Sequence, residues 1–167
     1  TCALPIYAEF TEVLDTVVID VPEEKLHGTL ARLRNYPDLD FSLLLDVTAV
    51  DYLDYPGHEG NRFAVVYTLR NWKKNRLVQV KSAVVDANRG VASATDLWPA
   101  ANWAEREVFD QYGINFKGHP DLRRILNHWQ FQGHPLRKDF DIENRQVCLE
   151  SDSLEVPIKE RLVDNGL

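Results

Sequence analysis

His119, His128 and His134 fall in one short stretch with Asp121 and Asp139, and imidazole and carboxylate are the side chains that ligate transition metals. Their spacing fits no metal motif, because no histidine pair stands four residues apart as on one helix face. His119 and His134 each sit in a Gly-His-Pro triplet. The flanking residues restrict the backbone, and an imidazole hydrogen-bonded to a neighbour explains such a corner equally well. A stand-alone metal-dependent enzyme using His119 and His134 is therefore one alternative. Acid–base chemistry is a second, from Glu105, Glu107 and Asp110 beside Arg106. Carboxylates next to arginine are usually held ionised, which suits an ion pair better than a general acid, and two faces of one short helix cannot both point into one pocket. No glycine-rich phosphate loop, serine elbow or Cys/His nucleophile pair is present. Arg123, Arg124, Arg137 and Lys138, with Trp129 and Phe131 to stack on bases, could meet nucleic acid, but a net charge of −7 argues against it.

The distribution of charge says more than its sum. From Lys117 to Lys138 five basic residues face one acid, Asp121; from Asp139 to Leu167 eight acids face three bases. A basic segment followed by an acidic one can pair with itself or with two partner surfaces. Arginines beside aromatics are also what protein interfaces enrich. The stretch is held in a fixed shape, either internally or against a partner.

The elements that must position these residues follow from periodicity. At 167 residues, with 44% hydrophobic and 27% charged side chains, one compact domain with a real core is expected. No apolar run approaches the roughly 20 residues that span a bilayer, and no positively charged leader precedes an apolar segment. Two cysteines, Cys2 and Cys148, make neither a disulfide framework nor a four-ligand zinc site and read as buried or idle thiols. Ile6, Phe10 and Val13-Leu14 predict a short helix over 4–14. Val17, Val18 and Ile19 predict a strand over 16–20. Pro22 with Glu23-Glu24 opens a helix carrying Leu26, Leu30 and Leu33, and Pro37 ends it. A largely buried strand is expected over 41–51, a polar loop over 52–61, and an antiparallel hairpin over 62–70 and 77–85. A helix starting at Asp96 or Leu97 runs to Tyr112, with Gly113 as its left-handed terminator. Ala101, Ala104, Val108 and Tyr112 form its apolar stripe, while Glu105, Arg106, Glu107 and Asp110 crowd the other sides. Arg106 and Asp110 are placed to pair along the surface. The fold class is α+β: a small mixed sheet with an antiparallel hairpin, packed by helices and followed by an extended C-terminal tail. Residues 1–113 form the α+β domain, and 114–167 an irregular wrap and acidic tail that docks on a partner.

Glu105-Arg106-Glu107-x-x-Asp110, then Gly113-Ile114, Gly118-His119-Pro120-x-Leu122-Arg123-Arg124-Ile125-Leu126 and Gly133-His134-Pro135-Leu136-Arg137-Lys138-Asp139-Phe140, together resemble the signature of the 30-kDa subunit family of respiratory complex I. Several spaced elements agree in order over nearly forty residues, with Gln111 standing where the family prefers an apolar residue. The resemblance implies a cofactor-free structural and assembly subunit of the peripheral arm of a proton-pumping NADH:quinone oxidoreductase, or the equivalent subunit of a related membrane-bound hydrogenase or other-donor complex. It implies docking on the large quinone-site subunit and near the terminal-cluster subunit, with FMN and iron–sulfur clusters held by neighbours. The chain would have no membrane span of its own and no nucleic-acid partner, and would lie peripheral to the membrane on its cytoplasmic or matrix side. It implies no catalytic residue in this chain. Glu105, Arg106, Glu107, Asp110, His119, Arg123, Arg124, His134, Arg137, Lys138 and Phe140 would be structural or partner-facing. Removing the charges of Arg137 and Lys138 together would then loosen assembly and leave the lone domain folded.

On these grounds the purified chain is expected to carry neither metal nor cofactor absorbance. Elemental analysis and a visible spectrum check this; a stoichiometric metal would return the reading to His119 and His134.

Overall fold

A computed structural model describes residues 9–13, 16–141, 143 and 146. Cys2, Cys148, the first part of the expected 4–14 helix and most of the acidic tail lie outside them. The chain order is β1 (Glu9–Val13), β2 (Thr16–Asp20), a 3-10 turn (Glu23–Lys25), α1 (Leu26–Asn35), β3 (Leu43–Asp51), β4 (Phe63–Asn71), β5 (Arg76–Val84), β6 (Val91–Ala92), α2 (Ala101–Tyr112) and β7 (Phe116–Lys117). Five strands form one sheet in the order β1-β2-β5-β4-β3. Among the described residues only the β2–β5 pair in it is parallel, so the sheet is mixed and the class is α+β, as the periodicity predicts.

The β4–β5 hairpin forms the centre. Phe63, Val65, Tyr67 and Leu69 point to the buried face, as do Val78, Val80, Ser82 and Val84, because alternate residues of a strand share a face. The hairpin turns at Asn75 with φ +48°. Leu26, Leu30 and Leu33 cover this face from α1 and are essentially inaccessible. Tyr36 leaves α1 in the extended region (φ −76°, ψ 124°), as a residue before proline should.

Three expectations change. Residues 9–13 are not helical: they pair antiparallel with β2 as an edge strand, and backbone pairing overrides a short apolar spacing that resembles a helix. β3 is not largely buried. It is the other edge, with Leu43 and Leu45 exposed and Leu44, Val47, Ala49 and Asp51 inside. A bulge between Leu44 and Asp46 moves the inward side chains from even to odd positions. α2 starts at Ala101 rather than Asp96. The turns before it seat Trp98 in the core, where its indole Nε1–H donates to the Ser42 carbonyl at 3.0 Å.

α2 packs on β3 and ends at Gly113 with φ +70°, the left-handed terminator expected there. The two-residue strand β7 then returns beside β6. Gly90 (φ +69°) turns the chain into β6 directly against the Asn115 backbone, where a Cβ would collide. The tight β6–β7 pairing thus leads the chain from α2 out along the surface with no room for slack.

Candidate functional site

Glu105 lies four residues after Ala101 and three before Val108, inside the apolar stripe rather than beside it, and is fully buried. Its Oε2 accepts from the Ser93 hydroxyl at 2.6 Å and its Oε1 from the Ala94 amide at 2.7 Å, pinning the segment between β6 and α2. Burial pushes its pKa up to about 7; the two donors oppose that rise, and nearby Asp96 adds to it. Burial likewise raises the phenol of the neighbouring core residue Tyr67, with Glu105's charge contributing. The placement of Glu105 on a polar side is therefore corrected, and arginine does not hold this carboxylate ionised.

Asp110 is also buried, under loop rather than core. Oδ1 accepts from Arg124 Nη1 at 2.6 Å and from the Asn127 side-chain amide at 2.9 Å. Oδ2 accepts from the amides of Ile125, Leu126 and Asn127 at 3.1, 2.9 and 2.8 Å. Burial raises the carboxyl's pKa, but these donors outweigh it and hold it at about 2. The expected Arg106–Asp110 surface pair does not form. Arg106 instead donates to the carbonyls of Arg123 and Arg124 at 3.2 and 3.3 Å and lies over the Trp103 ring.

Both Gly-His-Pro corners fasten the chain back onto α2. His119 Nδ1 accepts from the Asp121 amide, which leaves the proton on Nε2, and that nitrogen donates to the Asn102 carbonyl at 3.0 Å. His134 Nδ1 donates to the Asp110 carbonyl at 2.9 Å; burial first, and then Arg137 and Arg124, lower its pKa. Arg124 Nη2 reaches the Gly133 carbonyl at 2.9 Å. Arg137 crosses the end of α2, donating to the carbonyls of Tyr112 and Gly113 at 2.5 and 3.4 Å over the Phe63 ring. A Cβ on Gly113 would strike both Arg137 and His134, so that glycine is required twice over. Phe140 stacks on Phe131 at 5.8 Å.

A second clamp has no signal in the sequence. Asp51, buried at the end of β3, accepts from Arg62 at 2.8 and 3.0 Å, from the Leu53 amide at 3.0 Å and from the Lys138 amide at 3.0 Å. Arg62 also grips Asp139. Burial raises the Asp51 carboxyl, but its donors carry it down to about 2. The partners lie 11 and 87 positions away, beyond any local pattern.

Glu107 and the Lys138 side chain face solvent, and Arg123 pairs with Asp121 at 3.0 Å. Among the described residues no group of three or more His, Cys, Asp or Glu side chains gathers as a metal site. Arg106, Asp110, His119, Arg124, His134 and Arg137 therefore meet as fasteners of one wrap around α2.

Glu105 gives this region an unusual pH dependence. With its folded pKa raised to about 7 from 4.5, its contribution to stability is complete below about pH 4.5 and lost as pH rises toward 7, roughly 3 kcal/mol at 1.4 kcal/mol per unit. Glu105→Gln should flatten that part of the curve. Urea unfolding between pH 4.5 and 8 checks it; an unchanged slope in the variant would contradict the assignment.

Residues 19–146 match the family described as respiratory-chain NADH dehydrogenase, 30 Kd subunit. The chain is 46% identical over 134 residues to the C subunit of NADH-quinone oxidoreductase from Thiobacillus denitrificans, spanning 78% of this chain and 67% of that one. It is 44% identical over 143 residues to the C/D subunit of NADH-quinone oxidoreductase from Bdellovibrio bacteriovorus, spanning 86% of this chain and 24% of that longer one. Among solved structures, a trypsin-resistant fragment of Nqo5 superposes with a TM-score of 0.61 at 36% identity, over 69% of this chain and 89% of the fragment. A chain from a membrane-bound sulfane sulfur reductase, an archaeal respiratory membrane complex, superposes with a TM-score of 0.66 at 30% identity, over 82% of this chain and 79% of that one. With β3, β4, β5, both helices and both histidine corners inside the matched span, the chain belongs to the 30-kDa subunit family of respiratory-chain NADH dehydrogenase.

Proposed function

We propose that the chain is a structural and assembly subunit in the peripheral arm of a proton-translocating NADH:quinone oxidoreductase. It binds no cofactor and supports the quinone-site module, while neighbouring subunits carry the FMN, the iron–sulfur clusters and the chemistry. The observation that carries this reading is the use made of the ionisable groups. Asp110, His119, Arg124, His134 and Arg137 are each engaged by backbone or side-chain partners of the same chain, which suits a rigid docking surface and leaves no poised acid, base or nucleophile among them.

The partners proposed are the large quinone-site subunit and the subunit holding the terminal cluster. The Bdellovibrio relative, whose name joins C and D in one chain, favours a partner that sits directly against this chain, since joining two chains end to end requires their termini to lie within reach. The chain would lie peripheral to the membrane on the cytoplasmic or matrix side; among the described residues no helix is long and apolar enough to cross a bilayer. The similarity to the sulfane sulfur reductase complex favours one second reading, the equivalent subunit of a respiratory membrane complex with another electron donor.

Co-purification followed by mass spectrometry separates these readings. NADH-oxidising and quinone-site subunits are expected to accompany the chain; a different donor module selects the second reading, and a chain that purifies alone contradicts both. The geometry also splits the joint charge removal expected from the sequence. Arg137→Ala strips hydrogen bonds from the end of α2 and should lower the stability of the lone chain by about 1–3 kcal/mol. Lys138→Ala removes an exposed side chain and should leave the melting temperature unchanged while weakening retention in the complex.

A further inference from the structure

A groove of about 560 Å³ runs between α2 and the loop that Asp110 holds. Phe109 and Ile125 contribute apolar surface, Trp129 stands at its edge, and Arg106, Arg123 and Arg124 line it. Its charges are not balanced. Arg124 is met by Asp110 and Arg123 by Asp121. Arg106 donates only to two neutral carbonyls, at 3.2 and 3.3 Å, and has no carboxylate partner among the described residues. Around it, Trp103, Leu126 and Trp129 are 66%, 63% and 51% exposed. Arginine and tryptophan concentrated at an accessible groove form the composition of an interface hot spot, and a planar guanidinium with free donors selects a carboxylate.

We propose that this groove receives an acidic segment of a neighbouring subunit, with a carboxylate set against Arg106 and an apolar side chain resting on Ile125 and Trp129. The proposal rests on the scaffold reading above and names where, and by what chemistry, one partner is gripped. Nucleic acid is disfavoured, because its affinity comes from neutralising many phosphates with a stripe of cations. Here one guanidinium is left over on a chain of net charge −7. Charge complementarity of this kind fixes register and discriminates between partners.

The test uses the assembled complex. Arg106→Lys keeps the charge and supplies a primary amine, which a water-soluble carbodiimide couples to an adjacent carboxylate; arginine does not couple. Mass spectrometry is expected to find an amide link from position 106 of the variant to an aspartate or glutamate of another subunit, absent from the unsubstituted complex. Trp129→Ala is expected to weaken retention of the chain about tenfold, the effect of roughly 1.4 kcal/mol, with the melting temperature of the lone chain unmoved. Co-purification without that link would overturn the groove assignment and leave the scaffold reading standing. So would a link only to acids within residues 147–167 of this chain, or an Arg106-dependent shift of a single-stranded oligonucleotide in place of the link. Failure to co-purify with any subunit would overturn the scaffold reading and the proposal together.

Discussion

A carboxylate removed from water is destabilised by several kcal/mol unless donors replace its hydration. Asp110 meets that condition with the Arg124 guanidinium, three consecutive backbone amides and the Asn127 side chain. Its depressed pKa shows which effect wins. The consequence is geometric. Three amides can converge on one oxygen only if residues 125–127 curl around it, so the ion specifies the loop. Arg124 then extends from Asp110 to Gly133, and the Asp110 carbonyl accepts a hydrogen bond from His134 Nδ1–H. One residue on α2 thereby fixes the loop and the second Gly-His-Pro corner.

The Asp51–Arg62–Asp139 clamp does the same at the far end, tying the Lys138 amide and Asp139 to the edge of the sheet. Between the two clamps the described chain past Lys117 has no regular strand or helix, and its order comes from buried ions and histidine hydrogen bonds. An irregular segment fastened this way presents a fixed surface, which is what a scaffold needs. The price is sensitivity: removing one member of a buried pair leaves the other charge unpaired.

Much of the fold was legible. The alternation in β4 and β5, the leucine spacing of α1 and the Gly113 stop are local signals, and local signals survive folding. The segment at 9–13 reads as a helix because Phe10 and Val13 also suit one, while the pairing that makes it a strand comes from β2. The bulge at Leu44 to Asp46 has no signature in the sequence. In the site, the residue types and their ordered spacing mark the right stretch, and the resemblance points to the right family. What periodicity mishandles is burial: charge alone puts Glu105 and Asp110 on polar faces. Glu105 was recoverable, since its interval from Ala101 and Val108 puts it in the stripe. Asp110 was not, because its partners lie 14 to 17 residues on, in a loop with no shape of its own until the carboxylate is present.

The dependence of that loop on one charge is measured most directly by amide hydrogen exchange in Asp110→Asn, which keeps the side-chain shape and removes the anion. Protection should fall at Ile125, Leu126 and Asn127 and extend to Arg137, whose amide is held by His134, while β4 and β5 exchange as before. Unchanged protection at 125–127 would contradict the claim that the ion organises the wrap.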